Sequence, residues 1–472
     1  MSEDLRGWIK RMEQEEQIKT LNGADWKYEI GTLEALNNQN PNGPALLFDK
    51  IKDHEPGFRV LCSSILTQSR TAITVGLKPG TTKDILSQMR QKIVDWDTNL
   101  DKFKPKTVQT GPVLENVKSG KDINMLAFPT PWWRKKDGGR YIGTGHLVIT
   151  KDPDTGEINL GTYRVMVHDD KTLGLHISPG KHGRAHMEKY HARGQACPMV
   201  FSFGDHPLAS LVGALSLPAD SEYQYWGAMQ DGPVDVIEEE VTGLPMPADS
   251  EIVVAGWCPP GELRKEGPFG EYTGYYASGE RPEPVIHVER VYYRNNPIIH
   301  GAPPGRSPTN GSYYRELLSS ALLESRLRKL GIPEVQGVWK HNICSSWFLV
   351  VAIKQRYAGH AKQAAVMASE LVHRGRYVTV VDEDIDFTDL RHVIWAITTR
   401  ADPGVDMDVL HRVRSTPLDP LIRKPATAFF ANRLIIDATK PYEWIKDFPE
   451  IIQLEPELID NAKAKWGKQL EL

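Results

Sequence analysis

The stretch EGPFGEYTGYY, residues 266 to 276, places two carboxylates, Glu266 and Glu271, five positions apart around a Gly-Pro-Phe-Gly core. The proline and two glycines between them exclude a regular helix, and in an unbroken strand an odd spacing sends the two acids to opposite faces. The segment reads as a loop. A bent loop can aim both acids into one pocket, where desolvation and like-charge repulsion raise at least one carboxyl pKa and make it a proton donor near neutral pH. A solvated acidic turn is the plainer alternative, and these residues alone do not separate the two.

Upstream, INLGTYR brings an amide, Asn159, and a guanidinium, Arg164, into one segment, with Thr162 and Tyr163 between them. Five positions apart they face opposite sides of a regular strand, so Gly161 is expected to supply a bulge if both serve one ligand. Extended, they lie about 16 Å apart at about 3.3 Å per residue, a reach that suits a long ligand such as a flavin nucleotide with its phosphate at one end. An ordinary surface strand fits the spacing equally well. His182 in GKHGR and Glu222 in DSEYQYWGAM add a nitrogen and an oxygen donor. Asn159, His182 and Glu222 together carry one negative charge, which holds Mg²⁺ or Mn²⁺ weakly unless a phosphate dianion completes the shell. Each can also be purely structural. His182 and His186 share helical spacing, but Gly183 stands where an HExxH zinc enzyme has its glutamate. A metal-dependent hydrolase built on His182 and Glu222 remains a second reading. Phosphate loops of the GxxxxGK[ST] type, GxGxxG openings and GxSxG elbows do not occur.

The elements that must position these groups form a mixed α+β arrangement. MSEDLRGWIKRMEQEEQIKTL sets Leu5, Trp8, Ile9 and Met12 at helical spacing, with Ser2 or Asp4 as cap. With GPALLFDKI and FRVLCSSIL as buried strands and TTKDILSQMRQKIVDW as a helix, it makes an N-terminal α/β unit over 1–115. Residues 116–312 turn to strands: GTGHLVIT and EINLGTYRVMVH flank KDPDTG as a hairpin, and PVDVIEEEV, SEIVVAGWC and PVIHVERVYY follow. GRAHMEKYHARG and HPLASLVGAL are helical inserts in what reads as a barrel. YYRELLSSALLESRLRKLG is a linker helix over 313–330. WFLVVAIK, GHAKQAAVMASELVHRG and RYVTVVDED then give a βαβ unit, followed by the helix DLRHVIWAITTR, in a C-terminal α/β domain over 331–450. The tail 451–472 carries a charged amphipathic helix expected to dock on another surface, such as a second subunit.

Bulk properties narrow the class. At 472 residues the chain has room for two or three domains and an ample core. Cys62, Cys197, Cys258 and Cys344 lie far apart with no CxxC spacing, so they read as reduced core or pocket thiols. The balance of 57 basic against 61 acidic residues, without a basic block, argues against a nucleic-acid partner. No apolar run approaches the length of a membrane span and the start does not resemble a signal peptide, so a cytoplasmic chain is expected.

Taken in order, NLGTYR, the His of GKHGR, the Glu of SEYQYWGAM and EGPFGEYTGYY resemble the UbiD family of reversible decarboxylases that use prenylated flavin mononucleotide (prenylated FMN). GPALLFDKI near the start, and KQRYAGHAKQAA, HVIWAITTRADPGVD and IIDATK near the end, extend the likeness over most of the chain. The resemblance implies an N-terminal α/β unit, a central flavin-binding split barrel and a C-terminal α/β domain that drives self-association, as a homodimer or homohexamer. It implies Arg164 as holder of the substrate carboxylate, Glu266 as its orienting partner and Glu271 as the proton donor. It also implies Asn159, His182 and Glu222 as ligands of Mn²⁺ or Mg²⁺ at the cofactor phosphate, K⁺ nearby, and Thr162 and Tyr163 within the cofactor-binding stretch. Lys354, in VVAIKQRYAG, is the expected phosphate contact from the C-terminal domain.

Loss of CO₂ from an sp² carbon leaves an electron pair in the ring plane, unstabilised by the π system, so a covalent electron sink is needed. In the family the prenylated flavin bonds to the substrate and takes up that pair. A flavin prenyltransferase is implied as cofactor supplier. For the substrate, Trp132, Trp133 and Arg140 in PTPWWRKKDGGRYI are expected near the pocket mouth, where tryptophans suit planar rings, unless both are plain core. HGAPPGRSPTNGSYY lacks the acid that many relatives carry after the two prolines, and 301–312 reads as a lid or hinge. An aromatic, heteroaromatic or α,β-unsaturated acid is expected. A non-catalytic subunit of a multi-subunit carboxylase is the third reading.

Overall fold

The computed structural model describes residues 3–215, 217–342, 347–372, 375–422 and 429–470; Cys344 lies outside them. Asp4 caps the first helix, Leu5–Gln14, by accepting from the Gly7 N–H at 2.8 Å, and the stripe Leu5, Trp8, Ile9, Met12 is buried. That helix stops well before residue 21. Glu16 takes a left-handed φ of 54°, and Ile18–Asn22 becomes a strand pairing in parallel with Ala45–Asp49, where the sheet supplies the backbone partners that a longer helix would have supplied. The N-terminal sheet runs Ile18–Asn22, Ala45–Asp49, Arg59–Cys62, Ile298–Gly301. Its last strand comes from far along the chain and ties this unit to the central one.

The central sheet runs Arg140–Gly143, Val165–Val167, Thr172–Leu175, Arg281–Tyr293, Ile252–Cys258, Cys197–Phe203, His146–Lys151, Ile158–Gly161. Two short links dictate its shape. Residues 144–145 join the first strand of that order to the seventh, and residues 162–164 join the eighth to the second. Laid flat at about 4.8 Å per step, strands six places apart would be roughly 29 Å from each other, whereas links this short span no more than about 15 Å. The sheet must curl until its edges approach. EINLGTYRVMVH, expected as one strand, is therefore two strands on opposite sides of a seam, and Thr162, Tyr163 and Arg164 are the residues at the crossing. Gly161 ends a strand instead of bulging it. A Cβ there would lie 2.2 Å from the Tyr163 ring, so glycine lets that ring fold back over the strand end.

The helix Ser312–Lys329 leads to the C-terminal sheet, ordered Val335–His341, Phe348–Ile353, Tyr377–Asp382, Phe430–Ala438, Met407–Arg414. Phe348–Ile353, Tyr377–Asp382 and Phe430–Ala438 are parallel, with the helix His360–Leu371 as crossover between the first two. The last helix, Pro456–Leu470, leaves Leu458, Trp466 and Leu470 exposed. Among the described residues, no helix is long and apolar enough to cross a membrane.

Candidate active site

Arg164, placed at the barrel seam, lies between the two acids of the 266–271 loop. Its Nε and Nη2 donate to Glu266 Oε1 and Oε2, both at 2.8 Å, and its Nη1 donates to Glu271 Oε1 at 2.5 Å. Glu266 closes the strand Leu263–Glu266, which pairs with the start of Arg281–Tyr293, and the chain then turns so that Glu271 returns to the same guanidinium. The KKDGG segment fixes this turn: Gly138 N–H donates to Pro268 O at 2.7 Å, and a Cβ on Gly138 would stand 2.1 Å from Gly267 O. Tyr141 Oη donates to Glu266 Oε1 at 2.8 Å, and the Tyr141 ring packs on Phe269 at 4.1 Å between centroids. Phe269 in turn lies 5.7 Å from the Arg164 guanidinium.

Burial sets the two acids apart. Glu266 is fully buried, which raises its pKa, but the bidentate hydrogen bonds and charge of Arg164 outweigh this and hold the carboxyl below its usual range. Glu271 is 8 % exposed; burial dominates there, Arg164 opposes and the Glu266 charge adds, and the carboxyl is pushed up to about 7. Arg164, despite burial, is held charged by Glu266 and Glu271. A guanidinium has five N–H groups. Three are taken, so one remains on each terminal nitrogen. The arrangement offers a fixed cation for an anion, next to an acid that carries a proton half the time near neutrality.

The second cluster centres on Tyr163. Its Oη is 3.4 Å from Asn159 Nδ2 and accepts from the Gly183 N–H at 3.3 Å, and the Glu222 charge is felt at the same ring. Gly183 follows His182, the exposed first residue of the helix His182–Ala192. Glu222 opens the helix Glu222–Met229, is buried, is pushed up to about 7 chiefly by burial, and has an Oε2 without a hydrogen-bond partner. A buried, unpartnered carboxylate oxygen near the Tyr163 ring fits a hard divalent cation, which would satisfy that oxygen and keep the acid ionised. Thr162 Oγ1 donates to His146 O and Ser210 O, each at 3.0 Å, anchoring the crossing. Among the described residues no group of three or more His, Cys, Asp or Glu is poised for a metal, and His186 bonds Thr150 Oγ1 at 3.1 Å instead of joining His182.

Other expected residues lie elsewhere. Lys354 follows the strand Phe348–Ile353, is exposed, and has its Nζ 3.7 Å from Glu383; no described contact joins it to the barrel. Trp133 is core, its Nε1 donating to Tyr141 O at 3.0 Å, and Trp132 Nε1 donates to Asp137 O at 2.8 Å. Arg140 donates to Thr130 O and Phe128 O at 2.9 Å and lies over Trp26. Backbone carbonyls hold all three in the wall, and none lines the cavity beside Glu271, where Arg134 stands instead. Sequence reasoning missed Tyr141 and the group His176, Arg281 and Glu283, in which His176 Nδ1 meets Glu283 Oε1 at 2.8 Å and Arg281 Nη2 meets the same imidazole nitrogen at 2.8 Å. A signal for the latter existed: Arg281 and Glu283 are two apart on a strand and so share a face.

Residues 9–89, 106–307 and 312–438 match the N-terminal, Rift-related and C-terminal domains of 3-octaprenyl-4-hydroxybenzoate carboxy-lyase, the UbiD domains. The chain belongs to the UbiD family. Among UbiD relatives, the phenolic acid decarboxylase of Sedimentibacter hydroxybenzoicus is 32 % identical, over 99 % of this chain and 97 % of its own. The pyrrole-2-carboxylic acid decarboxylase of Pseudomonas aeruginosa is 30 % identical, over 89 % and 88 %. Of solved structures, the Sedimentibacter hydroxybenzoicus vanillic acid decarboxylase in open form superposes with a TM-score of 0.85 at 30 % identity, covering 99 % of this chain and 98 % of that one. The UbiD-class enzyme HmfF from Pelotomaculum thermopropionicum, in complex with FMN, also gives 0.85, at 26 % identity over 98 % and 100 %.

Proposed function

We propose that this UbiD-family chain reversibly decarboxylates an aromatic, heteroaromatic or α,β-unsaturated carboxylic acid with prenylated FMN bound along the barrel seam. The reading rests on Arg164, clamped by Glu266 and Glu271 with one N–H left on each terminal nitrogen, beside a carboxyl held near 7. An evolved dimeric form of HmfF in complex with prenylated FMN supports the cofactor. When bound, prenylated FMN supplies the sink for the in-plane electron pair. Everything else falls to the chain. The two remaining N–H groups of Arg164 bind the substrate carboxylate, and Glu266, itself fixed by Tyr141, holds the guanidinium in place. After CO₂ leaves, Glu271 gives its proton to the carbon that carried the carboxylate.

Asn159, His182 and Glu222 would hold Mn²⁺ or Mg²⁺ against the cofactor phosphate, with Thr162 and Tyr163 lining it and K⁺ close by. Lys354 would reach that phosphate once the C-terminal domain approaches the barrel; the Sedimentibacter hydroxybenzoicus enzyme is described in open and closed forms. A flavin prenyltransferase supplies the cofactor, and the exposed face of Pro456–Leu470 serves a homodimer or homohexamer. Co-expression with such a prenyltransferase, then mass and absorbance of the bound flavin and a CO₂-release screen in heavy water, tests this. Expected are a bound prenylated flavin and deuterium at the former carboxyl carbon. Loaded enzyme that neither releases CO₂ from nor exchanges deuterium into any acid of a broad panel overturns it.

A further inference from the structure

Each decarboxylation uses up the Glu271 proton, and Glu271 is nearly buried. Its partners in the clamp cannot replace that proton: an arginine does not deprotonate, and Glu266 is held ionised. Glu271 also lines a cavity of about 220 Å³, with Glu34, Asn38, Arg134, Arg306 and Thr309 among its walls. At about 30 Å³ each, several waters fit there, with Glu34, Asn38, Arg134 and Glu271 as polar partners. Glu34 lies on the helix Glu29–Asn38, is 1 % exposed, and accepts from Asn38 Nδ2, whose side chain accepts from Ser63 Oγ at 2.9 Å. Burial pushes Glu34 up to about 7, opposed by Asn38 and Arg134. The other titratable groups on the cavity are Tyr275, Tyr276 and Arg306, with Asp137 behind Tyr276. Ala35, Gln39, Tyr275 and Arg306 are exposed at its mouth.

We propose that Glu34 and the water of this cavity form a relay that returns a proton from solvent to Glu271 after each turnover. The inference rests on Glu271 being the donor. The Glu34 O–H breaks as a cavity water takes its proton and passes one of its own to the Glu271 carboxylate; Glu34 then regains a proton from hydronium or a buffer acid at the mouth. One proton moves and nothing is oxidised or reduced.

In the holoenzyme, Glu34→Gln is expected to lower kcat at alkaline pH at least about tenfold with KM unchanged, and small weak acids such as imidazolium restore the rate. Glu34→Asp retains most of it. Ala35→Trp, at the exposed mouth, lowers kcat likewise without disturbing a buried group, and weak acids do not rescue it. Parental kcat in both Glu34→Gln and Ala35→Trp, or a Glu34→Gln loss that weak acids leave unchanged, overturns the relay. CO₂ release by the parent and its loss in Glu271→Gln test the underlying reading separately.

Discussion

Glu266→Gln tests the electrostatics of the clamp. Burial raises the Glu271 pKa most, and because one guanidinium serves two buried carboxyls the Glu266 charge adds to it, so Glu271 holds its proton up to about 7. Both acids bond the same guanidinium, at 2.8 and 2.5 Å, which puts their charge centres roughly 5 Å apart. At an effective dielectric of about 20, the like-charge repulsion is then about 3 kcal/mol, or about two pH units in the Glu271 titration. Glutamine keeps the shape, removes that repulsion and leaves Arg164 as a one-to-one partner, so both effects lower the Glu271 pKa. The midpoint is expected to fall from about 7 to about 5. Infrared titration of the flavin-free chain reads it directly, with Glu271→Gln assigning the carboxyl band; in the holoenzyme the alkaline limb of kcat moves down equally. A Glu271 that stays protonated at neutral pH in Glu266→Gln would refute the charge argument.

Arg164→Ala leaves two buried carboxyls without their cation and should cost about 3–5 kcal/mol in chemical denaturation at mildly alkaline pH. Both folded-state pKa values then rise above the unfolded value, so the variant's stability is retained below about pH 4 and lost as pH rises through the folded values; the deficit shrinks in acid. Gly161→Ala drives a Cβ into the Tyr163 ring, and reduced Tm together with weakened FMN retention is expected, read by thermal melts and fluorescence. Glu222→Gln removes the anionic donor of the proposed cation site, so isothermal titration of Mn²⁺ into the FMN-loaded chain should show affinity lowered at least about tenfold.

The clamp was legible because its chemistry sits in local motifs, whereas the surrounding fold was legible only where periodicity was long. Helices such as Thr82–Asn99 and Ser312–Lys329 follow from their apolar spacing. The seam did not. Nothing local in EINLGTYRVMVH tells a strand from two strands that belong to opposite edges, because the break at Thr162 is enforced by barrel closure, a property of the whole sheet. The strands Ile18–Asn22 and Ile298–Gly301 were missed for a related reason: each is short and is stabilised by a partner distant in sequence or by a sheet edge. Trp132 and Trp133 misled because an indole in a glycine-rich stretch looks available, while here backbone carbonyls hold both inward.

The odd spacing of Glu266 and Glu271 takes its meaning from the seam. A strand would have parted the two acids; the turn behind Gly138 brings them back to one cation, and that cation is itself placed by the crossing that curls the sheet. Two carboxyls and one guanidinium, buried apart from the small cavity at Glu271, cannot all be charged without leaving a net charge in a poorly solvated site. The proton on Glu271 thus follows from burial first and from a second carboxylate on the same cation next, and any change that unburies Glu271 or adds a second cation should make it an ordinary carboxylate and a poor acid.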